Sequence, residues 1–205
     1  MRSRVKSIDS TRMKGKLATL IFLLVFGAST SGQTPFYRAL ADSALTLTKQ
    51  KVTYDPSYFQ IDYPNGDVPA NKGVCTDVVI RAYRKLGIDL QKEVHEDMKA
   101  HFGDYPQNWG LSKPDKNIDH RRVPNLMTFF KRQGAELSIT NKASDYQSGD
   151  IVCWNLGGAV THIGIVSTKK AADGTPMIIH NIGGGQVLEN MLFAYKIIGH
   201  YRYMK

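Results

Sequence analysis

The chain is short of the residues that would mark several common protein classes. It has two cysteines, Cys75 and Cys153, among 205 residues. A framework of several disulfides is therefore excluded, although one bridge between the two is conceivable in an exported protein. No C-x-x-C pair occurs, and the histidines are scattered. Structural zinc sites draw on closely spaced ligands, so no metal is expected, nor any cofactor. No run of lysine and arginine resembles a nucleic-acid footprint, and no nucleic-acid partner is expected. There is no internal repeat and no low-complexity segment. The longest apolar run, Leu17 to Phe26, is shorter than the roughly 17 residues that a membrane span needs.

What that run does resemble is the centre of a secretory signal. Arg12, Lys14 and Lys16 precede it, and small residues from Gly27 to Gly32 follow. The order basic, apolar, small predicts a cleaved signal peptide over 1–32, with an uncleaved anchor as the alternative. No cysteine follows the apolar run, which argues against a lipid anchor. These 32 residues hold six of the 27 Lys and Arg and one of the 18 Asp and Glu, so 33–205 carries a net charge of only +4. The expectation is one exported domain, periplasmic or extracellular, monomeric, with no stable membrane insertion after cleavage.

Within 33–205 the hydrophobic period changes once. Residues 36–51 place Phe36, Leu40, Ala44 and Leu47 at helical spacing. Residues 52–73 are rich in Pro, Gly, Asn and Asp and read as loop, with an extended piece from Tyr58 to Tyr63. A helix is predicted from Cys75 to Leu86, with Val78, Val79, Ala82, Tyr83 and Leu86 on one stripe and Gly87 as its C-cap. Another follows from Gln91 to His101. After a long polar loop, 103–122, "VPNLMTFFKRQG" reads as a helix with Pro124 in the first turn and Gly134 ending it. Four short β-branched runs then follow at 149–156, 162–168, 176–183 and 197–204. Helices first and strands afterwards predict an α+β fold with a small antiparallel sheet.

Cys75 opens a helix instead of lying inside its apolar face. The partial positive charge of a helix N-terminus favours a thiolate. A cysteine nucleophile also needs a proton shuttle and a group that orients it. His162 begins one predicted strand and His180 lies on the next. If those strands are antiparallel neighbours, Cys75, His162 and His180 can form nucleophile, base and orienter. Asn181 is the alternative orienter, and strand alternation lets only one of the two face the site. Cys153, mid-strand in "DIVCWN", suits core packing.

The segments "KGVCTDVVIRAY", "SGDIVCWN", "THIGIVS" and "MIIHNIG" resemble the NlpC-type cell-wall cysteine peptidases of the papain-like superfamily. The resemblance implies a papain-like fold, with Cys75 as nucleophile, His162 as base, His180 as orienter and Tyr63 near the oxyanion site. Over its length the chain is closer to a bacterial exported family, domain-of-unknown-function family 1287, through "GVCTDVVIRAYR", "NIDHRRVPNL" and "GHYRY". That family brings no activity. One departure from the NlpC-type pattern is Asp77 in "VCTD". A first-turn carboxylate complements the helix dipole, but it opposes a nearby thiolate.

The "DHRR" stretch, 119–122, has two readings. One is a solvated cluster in which Asp119 pairs with Arg121 or Arg122. The other is an arginine clamp for a substrate carboxylate. On the second reading Arg121 and Arg122, with Asp77 and Asn181 nearby, would form the substrate side of the site. Trp109 and Tyr105 would either line that cleft or pack in the core. His95, His101 and His200 stand in no motif. Two functions follow. One is an exported cysteine hydrolase cleaving an amide bond in peptidoglycan or a related envelope peptide. The other is a catalytically inactive module of the same fold that binds cell-wall peptides. Acyl transfer shares the same acyl-enzyme and is not separated from hydrolysis.

Overall fold

A computed structural model describes Met1 and residues 33–205. The signal peptide expected over 1–32 lies outside the described residues. Four α-helices precede a sheet: α1 (Gln33–Leu47), α2 (Cys75–Arg84), α3 (Leu90–His101) and α4 (Val123–Arg132). Two-residue strands β1 (Thr53–Tyr54) and β2 (Lys72–Gly73) lie between α1 and α2. The main strands are β3 (Ile151–Gly157), β4 (Val160–Lys170), β5 (Pro176–His180), β6 (Val187–Glu189) and β7 (Lys196–Tyr201). They form one antiparallel sheet in the order β6-β5-β4-β3-β7. The α+β class with an antiparallel sheet is thus as expected. Among the described residues no helix is long and apolar enough to cross a membrane.

The elements follow from their patterns. α2 is central, and nine of its ten residues are buried, which explains its dense apolar stripe. The helices pack one face of the sheet around Leu40, Val79, Leu126, Phe130, Ile163 and Ile165. A smaller cluster on Trp154, Val152, Val166 and Ile178 is covered by Met191 and Leu192. α3 starts where Asp89 accepts hydrogen bonds from the backbone N–H groups of Gln91 and Lys92, an ordinary N-cap.

The loop between α1 and α2 departs from expectation. The extended pairing is not at Tyr58–Tyr63 but at Thr53–Tyr54, which pairs in parallel with Lys72–Gly73. The intervening chain is tied to α3 instead. Asp89 accepts from Asn65 N, and Gln91 bridges Gly66 N and Asp62 O. Buried backbone groups need partners, and these side chains supply them without a sheet.

Candidate active site

Cys75 is the first residue of α2, after Val74 in extended conformation. The Val74 backbone N–H donates to Asp77 Oδ2 at 2.6 Å, which fixes the helix start. The Cys75 sulfur is buried and lies near the backbone N–H of Ile163, the residue after His162. No hydrogen bond joins that sulfur to a His162 nitrogen among the described residues. Burial pushes the Cys75 thiol up to about 12, and the Asp77 charge adds to the rise. The helix N-terminus therefore does not hold a thiolate in this state, because loss of water outweighs it. Both cysteines are free. Cys153 is fully buried, pairs with Ile163 across β3 and β4, and packs in the core.

His162 and His180 come together on neighbouring strands. His162 Nε2 and His180 Nδ1 are 3.0 Å apart. Gly164 makes this possible. A Cβ at that position would meet the Ile178 side chain at 2.7 Å and His180 Cβ at 3.1 Å. The glycine of "His-x-Gly" is thus the space through which His180 crosses to His162. Asn181 faces elsewhere, as strand alternation requires. Its Nδ2 donates to Gly73 O at 3.3 Å, and its Oδ1 accepts from Gly183 N. Asn181 holds the approach to the Cys75 turn and does not touch His162.

Sequence reasoning missed Glu189. His180 Nε2 lies 3.1 Å from Glu189 Oε2 on β6. An ionised carboxylate only accepts, so His180 Nε2 carries the proton. A neutral His180 then presents Nδ1 as an acceptor, and His162 Nε2 donates to it. His162 Nδ1 is left as a lone pair. The carboxylate at the sheet edge thereby fixes both tautomers. Burial and the neighbouring His180 hold His162 down to about 3, so the imidazole rests neutral.

Tyr63 is not at this site. Its ring packs edge-on against His95, with centroids 5.1 Å apart, on the loop tied to α3. Tyr54 occupies the neighbourhood instead. It pairs with Gly73, two residues before Cys75, and its hydroxyl is raised by burial and then by Cys75. Counting residues back from the cysteine led to Tyr63, which the loop carries to α3 before it returns to Cys75.

The two arginines are occupied. Arg121 Nε and one terminal nitrogen donate to both Asp77 oxygens at 2.9 and 3.0 Å, and each side chain is only 2% exposed. Arg121 also reaches the carbonyls of Ser57 and Asp55. It ties the first turn of α2 to the loop below and has no free fork for a substrate carboxylate. Asp77 in turn is neutralised by Arg121. Arg122 pairs with Asp119 at 2.9 Å and stacks over Trp109, 4.0 Å from the ring centre. The paired-cluster reading of "DHRR" describes this geometry better than the clamp, but the cluster is buried and not solvated. Tyr105 is buried and donates to Asp97.

The profile of the family described as "Domain of unknown function (DUF1287)" matches residues 41–203. The Escherichia coli (strain K12) protein named "Uncharacterized protein YijF" is 54% identical over 165 residues, covering 80% of each chain. Two crystal structures of an N-acetylmuramoyl-L-alanine amidase from Bacteroides uniformis ATCC 8492 align over 82% of this chain and 99% of theirs. Their identities are 13% and 14%, each with a TM-score of 0.47. A likeness this distant carries no residue roles across.

Proposed function

This chain belongs to the DUF1287 family, and we propose that it is an exported thiol hydrolase of papain-like, NlpC-type architecture. Its substrate is an amide bond in peptidoglycan or a related envelope peptide. The observation that carries this reading is the hydrogen-bonded series Glu189–His180–His162, which leaves His162 Nδ1 without a hydrogen-bond partner among the described residues, next in sequence to the Ile163 N–H near the Cys75 sulfur.

The chemistry suits a pair that rests uncharged. Cys75 Sγ attacks the amide carbonyl carbon while His162 Nδ1 takes the thiol proton. The carbonyl oxygen becomes an oxyanion, which the Cys75 backbone N–H and the Tyr54 hydroxyl stabilise. The C–N bond breaks, and His162 passes its proton to the leaving amine. Water, deprotonated by His162, then cleaves the thioester, releasing a carboxylic acid and restoring the thiol. The protein works as a monomer in the periplasm or outside the cell.

The burial that pushes the Cys75 thiol up favours a second reading, a catalytically inactive module that binds cell-wall peptides. Cys75→Ala separates the two. The hydrolase reading expects no release of product from purified peptidoglycan fragments by a variant with an unchanged melting temperature. Turnover retained in that variant would end the mechanism. Peptide binding by a wild-type protein that never turns over would favour the module.

A further inference from the structure

A carboxylate beside a nucleophilic cysteine opposes its thiolate. Asp77 nevertheless stands two residues after Cys75, is 1% exposed, and bears on the Cys75 sulfur. The turn is built to hold it there. Asp77 Oδ2 accepts the Val74 N–H at 2.6 Å, a donor that the start of a helix otherwise leaves without a partner. Gly73 supplies the room. Its φ is not positive, but a Cβ there would meet Asp77 Cβ at 3.2 Å and Asp77 Oδ2 at 3.3 Å.

The carboxylate is matched from outside the helix. Both of its oxygens take the Arg121 fork, and the Thr76 hydroxyl donates to the Arg121 carbonyl at 3.1 Å. Arg121 is thus clasped to the Cys75 turn by side chain and backbone alike. Burying such a pair strips water from two charges, and apolar side chains of similar volume often serve stability as well. Anchoring alone therefore does not account for two charges at this point, whereas their place beside the sulfur does. The other titratable groups around Cys75 rest uncharged near neutral pH. Burial raises the Tyr54 hydroxyl on β1 and the Cys153 thiol on β3, and it lowers His162 on β4. Arg81, further along α2, is committed to Asp67 at 3.0 Å. Asp77 is the charge set against the sulfur, and Arg121 is the charge set against Asp77.

We propose that Asp77 and Arg121 are a positioning pair for the Cys75 nucleophile. The carboxylate fixes the backbone from which the sulfur projects. The guanidinium cancels the field that the carboxylate would otherwise impose on a thiolate. The inference rests on the hydrolase reading only in making Cys75 the nucleophile.

The test is the rate of Cys75 alkylation by iodoacetamide against pH, in protein carrying Cys153→Ser. The probe is neutral, so a changed charge in the protein does not alter its approach. Asp77→Asn keeps an oxygen for the Val74 N–H and removes the anion. Its profile should move to lower pH, with a rate at pH 7 about tenfold or more above the parent, the size expected of one charge a few ångström away. Arg121→Gln bares the carboxylate and should move the profile the other way, with a rate lower by about tenfold or more. Asp77→Asn/Arg121→Gln should return toward the parent. Arg121→Lys keeps the charge without the fork and should keep the parent rate even where its melting temperature falls. A pair that only braced the helix start would expose the sulfur once broken and speed every variant. Rates that move in one direction in both single variants, or in neither, would overturn the proposal. If Arg121→Gln does not fold, a double variant faster than Asp77→Asn would overturn it as well, and a slower one supports it. The two readings fail separately. Opposite shifts in a protein that never cleaves peptidoglycan fragments keep the pair and remove the hydrolase. Turnover that depends on Cys75, with unchanged profiles, does the reverse.

Discussion

Among the described residues two buried histidines, His200 and His180, each meet a carboxylate, and the two clusters are built differently. In one, His200 Nε2 meets Asp150 at 2.8 Å and Nδ1 meets Ser138 O at 3.0 Å. Asp150 also accepts two bonds from Arg202 and one from Gln147 N. Both ring nitrogens and both carboxylate oxygens are taken. In the other, Glu189 is half exposed, and the series from it through His180 ends at a His162 nitrogen with no hydrogen-bond partner among the described residues. The first cluster closes on itself and ties the C-terminal strand to the turn before β3. The second has one valence open. A closed network stabilises, whereas an open one can exchange a proton.

The contrast can be broken from the structural side first. Asp150→Ala leaves Arg202 and His200 without their buried anion. Removing one partner of a buried ion pair costs about 3–5 kcal/mol, and denaturant unfolding should show a loss of that size. An unchanged midpoint would mean that the closed cluster is not structural.

Acid should come next in size for each pH unit crossed. His162 and the buried His120 are both held down to about 3, from an ordinary 6.5, chiefly by burial. The unfolded chain binds protons that the folded chain refuses between those values. Stability is therefore complete above about pH 6.5 and falls as pH drops toward 3. The slope is about 1.4 kcal/mol per pH unit for each histidine. His120→Gln should lower that slope in a pH series of thermal melts, and an identical slope would refute the assignment.

The smallest effect should sharpen the open cluster. Glu189→Ala frees His180 to take the other tautomer, which puts the His162 proton on Nδ1. Turnover should fall about tenfold, at the low end of losses for partners that orient an imidazole, with a shifted pH profile and an unchanged melting temperature. Glu189→Gln keeps an acceptor and should recover part of the rate. Equal rates in all three proteins would remove Glu189 from the site.

The sequence was most readable where signals are periodic or local. α2 and α4 declared themselves by apolar stripes and by Gly87 and Gly134 beyond their ends. The pairing of His162 with His180 followed from adjacent strands, and alternation turned Asn181 away. Legibility ended where partners are distant and nothing repeats. Arg121 finds Asp77 44 residues away, so its charge looked available in the sequence. Glu189 reaches His180 across three glycines on a three-residue strand, too short to carry a period. Tyr54, and not Tyr63, lies near the start of α2 because tertiary ties, not residue counts, set the path of the loop.

The most direct test is the alkylation rate of Cys75 from pH 5 to 10, in protein carrying Cys153→Ser, with and without His162→Ala. A base within reach makes even a thiol pushed up by burial react through proton transfer. The account predicts a rate at pH 7 that falls about a hundredfold when His162 is removed, the lower range for a general base. The same rate and the same pH profile with and without His162 would contradict it and leave Cys75 a buried structural thiol.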